Sequence, residues 1–141
     1  MNAAQNTVLV VEDDSNDVLL LQRAFRKGGL THLLQIVQDG EEAILYLSGE
    51  APFNDRAKYP LPGLMLLDLK MPRKSGLEVL DWLRKQSEEL KSLPVIVLTS
   101  SRLTEDVDRA YALGANSYMA KPSGNYEGLA EMVKNLEKNR R

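Results

Sequence analysis

Four short runs of the chain are almost wholly apolar: Val8-Leu-Val-Val11, Leu33-Leu-Gln-Ile-Val37, Leu64-Met-Leu-Leu67 and Val95-Ile-Val-Leu98. A half-buried strand alternates apolar with polar residues, whereas unbroken runs fit strands covered on both faces, as in a parallel sheet. A fifth and more polar run, Asn116-Ser-Tyr-Met-Ala120, fits an edge strand. Between the runs the apolar period becomes helical. Val18, Leu21 and Phe25 are spaced for one helix face and stop at Gly28-Gly29. Asp39-Gly-Glu-Glu42 and Ser75-Gly-Leu-Glu78 have the pattern of capping boxes, the first ahead of Ala43, Ile44 and Leu47, the second ahead of Leu77, Leu80 and Leu83. Val107, Ala110 and Tyr111 mark a helix ending at Gly114, and Leu129, Met132, Val133 and Leu136 mark the last. Five strand–helix alternations imply right-handed βαβ units, a parallel sheet and helices on both of its faces. The segment from Gly49 to Gly63, with Pro52, Pro60 and Pro62, reads as an extended surface loop.

Composition narrows the function. With 141 residues, 43% of them hydrophobic, the chain suits a single domain over residues 1–141 and is too apolar for wholesale disorder. Eighteen Lys and Arg against twenty Asp and Glu exclude a strongly basic nucleic-acid binder. The absence of cysteine excludes disulfides, thiol catalysis and Cys-ligated metals, and a single histidine, His32, excludes multi-histidine metal sites. No apolar run nears the ~20 residues of a membrane span. The first residues, Met1-Asn-Ala-Ala-Gln-Asn6, lack the pattern of a secretory leader. A cytoplasmic protein without a nucleic-acid or membrane partner is expected.

In open α/β sheets, ligands bind beyond the carboxyl ends of the strands. Glu12, Asp13 and Asp14 follow the first run, Asp68 the third, Thr99 and Ser100 the fourth, and Lys121 and Pro122 the fifth. Two unit charges ~4 Å apart repel by about 4 kcal/mol at an effective dielectric of ~20. Glu12, Asp13 and Asp68 in one pocket would therefore cost on the order of 10 kcal/mol, as much as a domain's whole stability. A divalent cation and Lys121 offset that cost most economically. An oxygen-only set with a few carboxylates suits Mg2+. An aspartate beside Mg2+ can attack phosphorus to give an aspartyl phosphate. The metal, the Lys121 ammonium and the Thr99 hydroxyl can then neutralise the equatorial oxygens.

In their order and spacing, Val8-Leu-Val-Val-Glu-Asp-Asp14, Leu66-Leu-Asp-Leu-Lys-Met-Pro72 with Gly76, Val97-Leu-Thr-Ser100 and Ala120-Lys-Pro122 resemble the response-regulator receiver domain of two-component signalling. The resemblance runs from Thr7 to Lys138. It implies a flavodoxin-like, doubly wound sheet of five strands in the order 2-1-3-4-5 with five helices. It makes Asp68 the phosphoacceptor, gives Mg2+ to Asp13, Asp68, the Lys70 carbonyl and, through water, Glu12, and assigns Thr99 and Lys121 to the phosphoryl group. It implies a cis Lys121–Pro122 bond and matches Tyr118 to the aromatic switch position, although a core role suits that residue equally. The donor would be a sensor histidine kinase. Glu12-Asp13, Ala24-Phe25, Asp39-Gly-Glu-Glu-Ala43, Tyr46-Leu47 and the long loop before the third strand are similar to the stand-alone regulators of the cyanobacterial phytochrome type, which suggests a phytochrome-like kinase and a homodimer. The last helix ends with the chain, so no output domain is expected and signalling would run through protein contacts. Ser123-Gly124 departs from the family pattern, as an apolar residue often follows Lys-Pro there.

Plainer readings stand beside these. Asp14 reads as a helix cap, His32 as a strand-start residue, and Trp82 as partly exposed beside its helix stripe. An Mg2+-dependent phosphohydrolase using Asp68 would want a second acid two residues later, where Lys70 stands. A scaffold that is never phosphorylated would not need the full set of acids with Thr99 and Lys121. A nucleotide-binding turn would be Gly-rich where this chain has Glu12-Asp-Asp14.

Overall fold

The computed structural model describes residues 6–71, 73–99, 104–121 and 126–138. Its strands are β1 (Thr7–Val11), β2 (Leu33–Val37), β3 (Leu64–Asp68), β4 (Val95–Thr99) and β5 (Ser117–Ala120). They form one parallel sheet in the order β2-β1-β3-β4-β5, as the resemblance implies. The helices are α1 (Ser15–Lys27), α2 (Gly40–Ser48), α3 (Gly76–Leu83), α4 (Glu88–Lys91), α5 (Thr104–Ala112) and α6 (Leu129–Lys138). Six helices among the described residues correct the expectation of five. The extra one, α4, spans four residues and has no fully buried side chain, with Leu90 alone packed partly buried on the core, so it leaves no apolar stripe in the sequence.

The two-residue alternation of strands sorts the core into two layers. Leu9, Val11, Met65, Leu67, Val95 and Val97 face Ala43, Tyr46 and Leu47 of α2, Val79, Leu80 and Leu83 of α3, and Ala110 of α5. Val8, Val10, Leu64, Leu66, Ile96 and Leu98 face Leu21 and Phe25 of α1 and Leu129 and Val133 of α6. The three central strands β1, β3 and β4 are buried at every position. β2 is different, because it is an edge strand: only Val37 is fully buried and Leu33 is half exposed. Its apolar sequence therefore overstated its coverage. On α3 the buried stripe is Gly76, Val79, Leu80 and Leu83, with Leu77 to one side. On α5, Ala110 is buried and Tyr111 is 49% exposed.

Local chemistry sets the helix starts. Asp14 caps α1 by accepting from the N–H groups of Asn16 and Asp17. Ser75 and Glu78 make the expected reciprocal box at α3. At α2, Asp39 accepts from the Glu42 N–H at 2.8 Å, but the Glu42 carboxylate reaches one residue further back, to the Gln38 N–H at 2.7 Å. The segment before β3 is pinned rather than free. Arg56 donates to the carbonyls of Tyr46, Leu47 and Tyr59, and the Tyr46 hydroxyl donates to the Pro60 carbonyl at 2.8 Å. Tyr59 packs edge-on to both Tyr46 and Phe53, and Phe53 lies tilted against Tyr46. Arg84, at the end of α3, donates to the carbonyls of Lys91, Leu93, Leu113 and Gly114 and so ties together the segments that follow α4 and α5.

His32 lies one residue before β2, with Nε2 2.5 Å from Glu137 Oε2 of α6 and its ring edge-on to Phe25. It stands at the end of the sheet opposite the strand carboxyl ends. Trp82 is half-buried against the first core layer.

Candidate functional site

Parallel register delivers the site. Val10 pairs with Leu66 and Val11 with Leu67, so one further step brings Glu12 beside Asp68. Alternation then sends both carboxylates to the side of the sheet occupied by α1 and α6, the side of Val8, Val10, Leu64 and Leu66. Asp68 pairs with Leu98, placing Thr99 one step beyond, and the Lys121 N–H donates to the Thr99 carbonyl at 2.9 Å. Glu12, Asp68 and Thr99 are 2%, 4% and 0% exposed, while Asp13 is exposed.

Carboxylate oxygens of Glu12, Asp13 and Asp68 lie within 4.8 Å of one another. Into this cluster comes the Lys121 ammonium, 2.6 Å from Glu12 Oε1, 2.9 Å from Asp68 Oδ2 and 3.0 Å from Asp17 Oδ2. The Lys70 N–H donates to Asp68 Oδ1 at 3.1 Å, and the Asp14 N–H donates to Glu12 Oε2 at 3.1 Å. Burial pushes the Glu12 carboxyl up to about 7, and the Asp68 charge adds to this; the hydrogen bonds from Lys121 and Asp14 hold it back. For Lys121, burial works against the ammonium but is outweighed by Glu12, Asp68 and Asp17, so its ionisation moves up and it stays charged.

The backbone tolerates nothing larger than glycine behind Asp68. A Cβ on Gly76 would collide with the Asp68 carbonyl and Leu69, so Gly76 lets α3 start against the turn that carries the buried carboxylate.

Four carboxylates around one ammonium leave negative charge in excess. The donors that converge are all oxygen, which suits a small, hard divalent cation rather than zinc. Glu12 Oε1 is buried and shares its one cationic partner, the Lys121 ammonium, with Asp68 and Asp17, so a single positive charge serves three carboxylates. The residues present therefore fit a metal.

Of the residues singled out in the sequence, Glu12, Asp13, Asp68 and Lys121 come together, with Thr99 at the adjoining strand end. Asp14 is the helix cap. Tyr118 is half-buried in β5 against the first core layer. The Lys121–Pro122 bond, Ser100 and Ser123-Gly124 lie outside the described residues. Two residues escaped the sequence reading. Asp17, in the first turn of α1, is the third partner of Lys121. Tyr126, 1% exposed, lies beside the same cluster of charges. Acids favour the first turn of any helix, so Asp17 carries no distinguishing mark, and Tyr126 depends on how α6 packs.

Among the described residues no helix is long and apolar enough to cross a membrane. The chain is 38% identical over 130 residues to the response regulator Rcp1 of Synechocystis sp., a match covering 92% of this chain and 85% of Rcp1. The crystal structure of the Mn(2+)-bound form of Rcp1 superposes with a TM-score of 0.78 at 35% identity, covering 94% of this chain and 92% of that one. The structure of the phosphorylated cyanobacterial phytochrome response regulator RcpA superposes with a TM-score of 0.80 at 34% identity, covering 96% and 93%. Residues 8–134 match the model of the response regulator receiver domain. With the acids at the strand ends and a lysine among them, the chain belongs to the response regulator receiver domain family.

Proposed function

We propose that Asp68 accepts a phosphoryl group from a sensor histidine kinase of the phytochrome-like kind, and that residues 1–141 act as one receiver whose phosphorylated state is read through protein contacts. The observation that carries this is the Lys121 ammonium, held 2.6 Å from Glu12 and 2.9 Å from Asp68 at the carboxyl edge of the sheet. A carboxylate so placed is desolvated and fixed, and the cation needed to neutralise an incoming phosphoryl group is already in position.

In the transfer, an Asp68 carboxylate oxygen attacks phosphorus. A new O–P bond forms as the P–N bond of a phosphohistidine breaks, and the electron pair stays on the departing imidazole. Lys121 and Thr99 each meet a phosphoryl oxygen, while the Lys70 N–H steadies the other Asp68 oxygen. Asp13, Asp68, the Lys70 carbonyl and, through water, Glu12 would hold Mg2+, which neutralises phosphoryl oxygens when bound. The added charge of roughly −2 draws Thr99 inward and moves Tyr118. Such a change shifts a population only by its differential contacts with the two states. The face made by α5, β5 and α6 is the surface that would alter, for a target or for a second copy of the chain. RcpA is described as a phytochrome response regulator, which supports a photoreceptor-like kinase as donor. The cytoplasm is the compartment this scheme requires.

Incubation with acetyl phosphate and Mg2+ is expected to add one phosphoryl group to the intact mass. Chelating the metal with EDTA is expected to reduce the adduct by on the order of a hundredfold, because several kcal/mol of charge neutralisation are lost. Equal labelling with and without metal would contradict the metal's role, and the absence of any adduct would contradict the function.

A further inference from the structure

Asp17 and Tyr126 stand at the site without a role in that scheme. Asp17 Oδ2 accepts from the Lys121 ammonium at 3.0 Å, yet Asp17 is not one of the three acids whose oxygens converge. Tyr126 precedes α6 with a φ of 53°, and its ring is packed into the second core layer with Leu21, Phe25 and Leu129. Its hydroxyl is buried and has no hydrogen-bond partner among the described residues. A buried donor without an acceptor forfeits its hydration for nothing. Burial first, then the Asp17 and Glu12 charges and the approach of the hydroxyl to the Asp17 carboxylate, raise its ionisation against the pull of Lys121, so it remains a neutral O–H. Asp17 thus has its cation, and the Tyr126 hydroxyl lies toward Asp17 without meeting it in hydrogen-bond geometry.

We propose that Asp17 and Tyr126 form a holding site for the Lys121 ammonium: Asp17 retains it before phosphorylation, and the Tyr126 hydroxyl takes over the Asp17 carboxylate when Lys121 turns to the phosphoryl group. The proposal rests on Asp68 being the phosphoacceptor. Lys121 has three N–H donors and currently divides them among Glu12, Asp17 and Asp68. A phosphoryl group on Asp68 brings new anionic oxygens to that ammonium, and the partner outside the converging cluster is the one to be given up. Asp17, whose side chain is only 19% exposed, would then be a poorly solvated anion. A donated Tyr126 hydrogen bond repairs that loss. Asp17 is therefore a brake on phosphorylation and Tyr126 relieves it. Both are positioning residues that act through Lys121.

The two substitutions should act in opposite directions. The probe is beryllofluoride, a phosphoryl mimic, titrated with Mg2+ into the full chain and followed by 19F NMR. Asp17→Ala is expected to tighten binding on the order of tenfold, because a like charge leaves the pocket. Tyr126→Phe, which keeps the ring, is expected to weaken binding roughly fivefold through the lost hydrogen bond. In the Asp17→Ala background the Tyr126→Phe effect should vanish, a coupling that a purely packing tyrosine would not show. Asp17→Asn, which keeps the shape, should tighten binding in the same direction and covers the event that the alanine variant is poorly folded. Unchanged or weaker binding in both Asp17 variants, or additive effects in the double variant, would overturn the holding site while leaving Asp68 as acceptor. Failure of the unsubstituted chain to bind the mimic would overturn both.

Discussion

Asp68→Asn is expected to take up no phosphoryl group from acetyl phosphate and Mg2+, a loss on the order of a thousandfold or more, because an amide oxygen is a far weaker nucleophile than a carboxylate. Asparagine keeps the shape but has a single acceptor oxygen, so it can serve the Lys121 ammonium, 2.9 Å from Asp68 Oδ2, while the Lys70 N–H, 3.1 Å from Asp68 Oδ1, loses its acceptor. Folding should survive, with a stability change within about 1 kcal/mol, because one member of a repelling cluster is removed along with one partner of Lys121. Intact-mass spectrometry reads the adduct and a urea melt reads the fold. An adduct of equal yield on the variant would place the nucleophile elsewhere.

Lys121→Met has the other large effect. It leaves Glu12 and Asp68, with side chains 1% and 5% exposed, facing each other without their cation. Breaking a buried ion pair from one side costs ~3–5 kcal/mol. The lower end is expected here, because the Glu12 carboxyl, already pushed up to about 7 by burial, can take up a proton. Mg2+ should return part of the loss, since a ligand of the folded state at a hundred times its Kd stabilises by about 2.7 kcal/mol. Urea denaturation of both proteins, with and without Mg2+, checks this. A variant as stable as the parent without metal would show that Lys121 does not balance the acids.

Much of the fold is visible in local pattern because the pattern is physical. The unbroken apolar runs of β1, β3 and β4 reflect burial on both faces, and the Ser75–Glu78 box sets the start of α3. Order within the sheet is not carried by hydrophobicity. β2 looks as apolar as a central strand yet sits at an edge, and its place was read from family resemblance. α4 has no fully buried residue, only Leu90 packed partly buried against the core, and so shows no stripe. Glu12, Asp13, Asp68 and Lys121 were legible because each follows a strand, and a parallel sheet gathers strand ends at one edge. Asp17 reaches the ammonium from α1, and Tyr126 lies beside the same charges from the turn before α6. Their proximity depends on how those helices pack, where Gly28 leaves room that a Cβ would take from Ala130. No spacing along the chain encodes that approach.

The central claim, phosphoryl transfer to one carboxylate, is tested most directly by reducing the labelled protein with borohydride. Hydride attacks an acyl phosphate at its carbonyl carbon, releases phosphate and leaves a primary alcohol, so a phosphorylated aspartate becomes homoserine. Peptide sequencing by mass spectrometry after acetyl phosphate and Mg2+ should find homoserine at position 68 and aspartate at 13 and 17. Homoserine at either of those positions, or at none, would contradict the account.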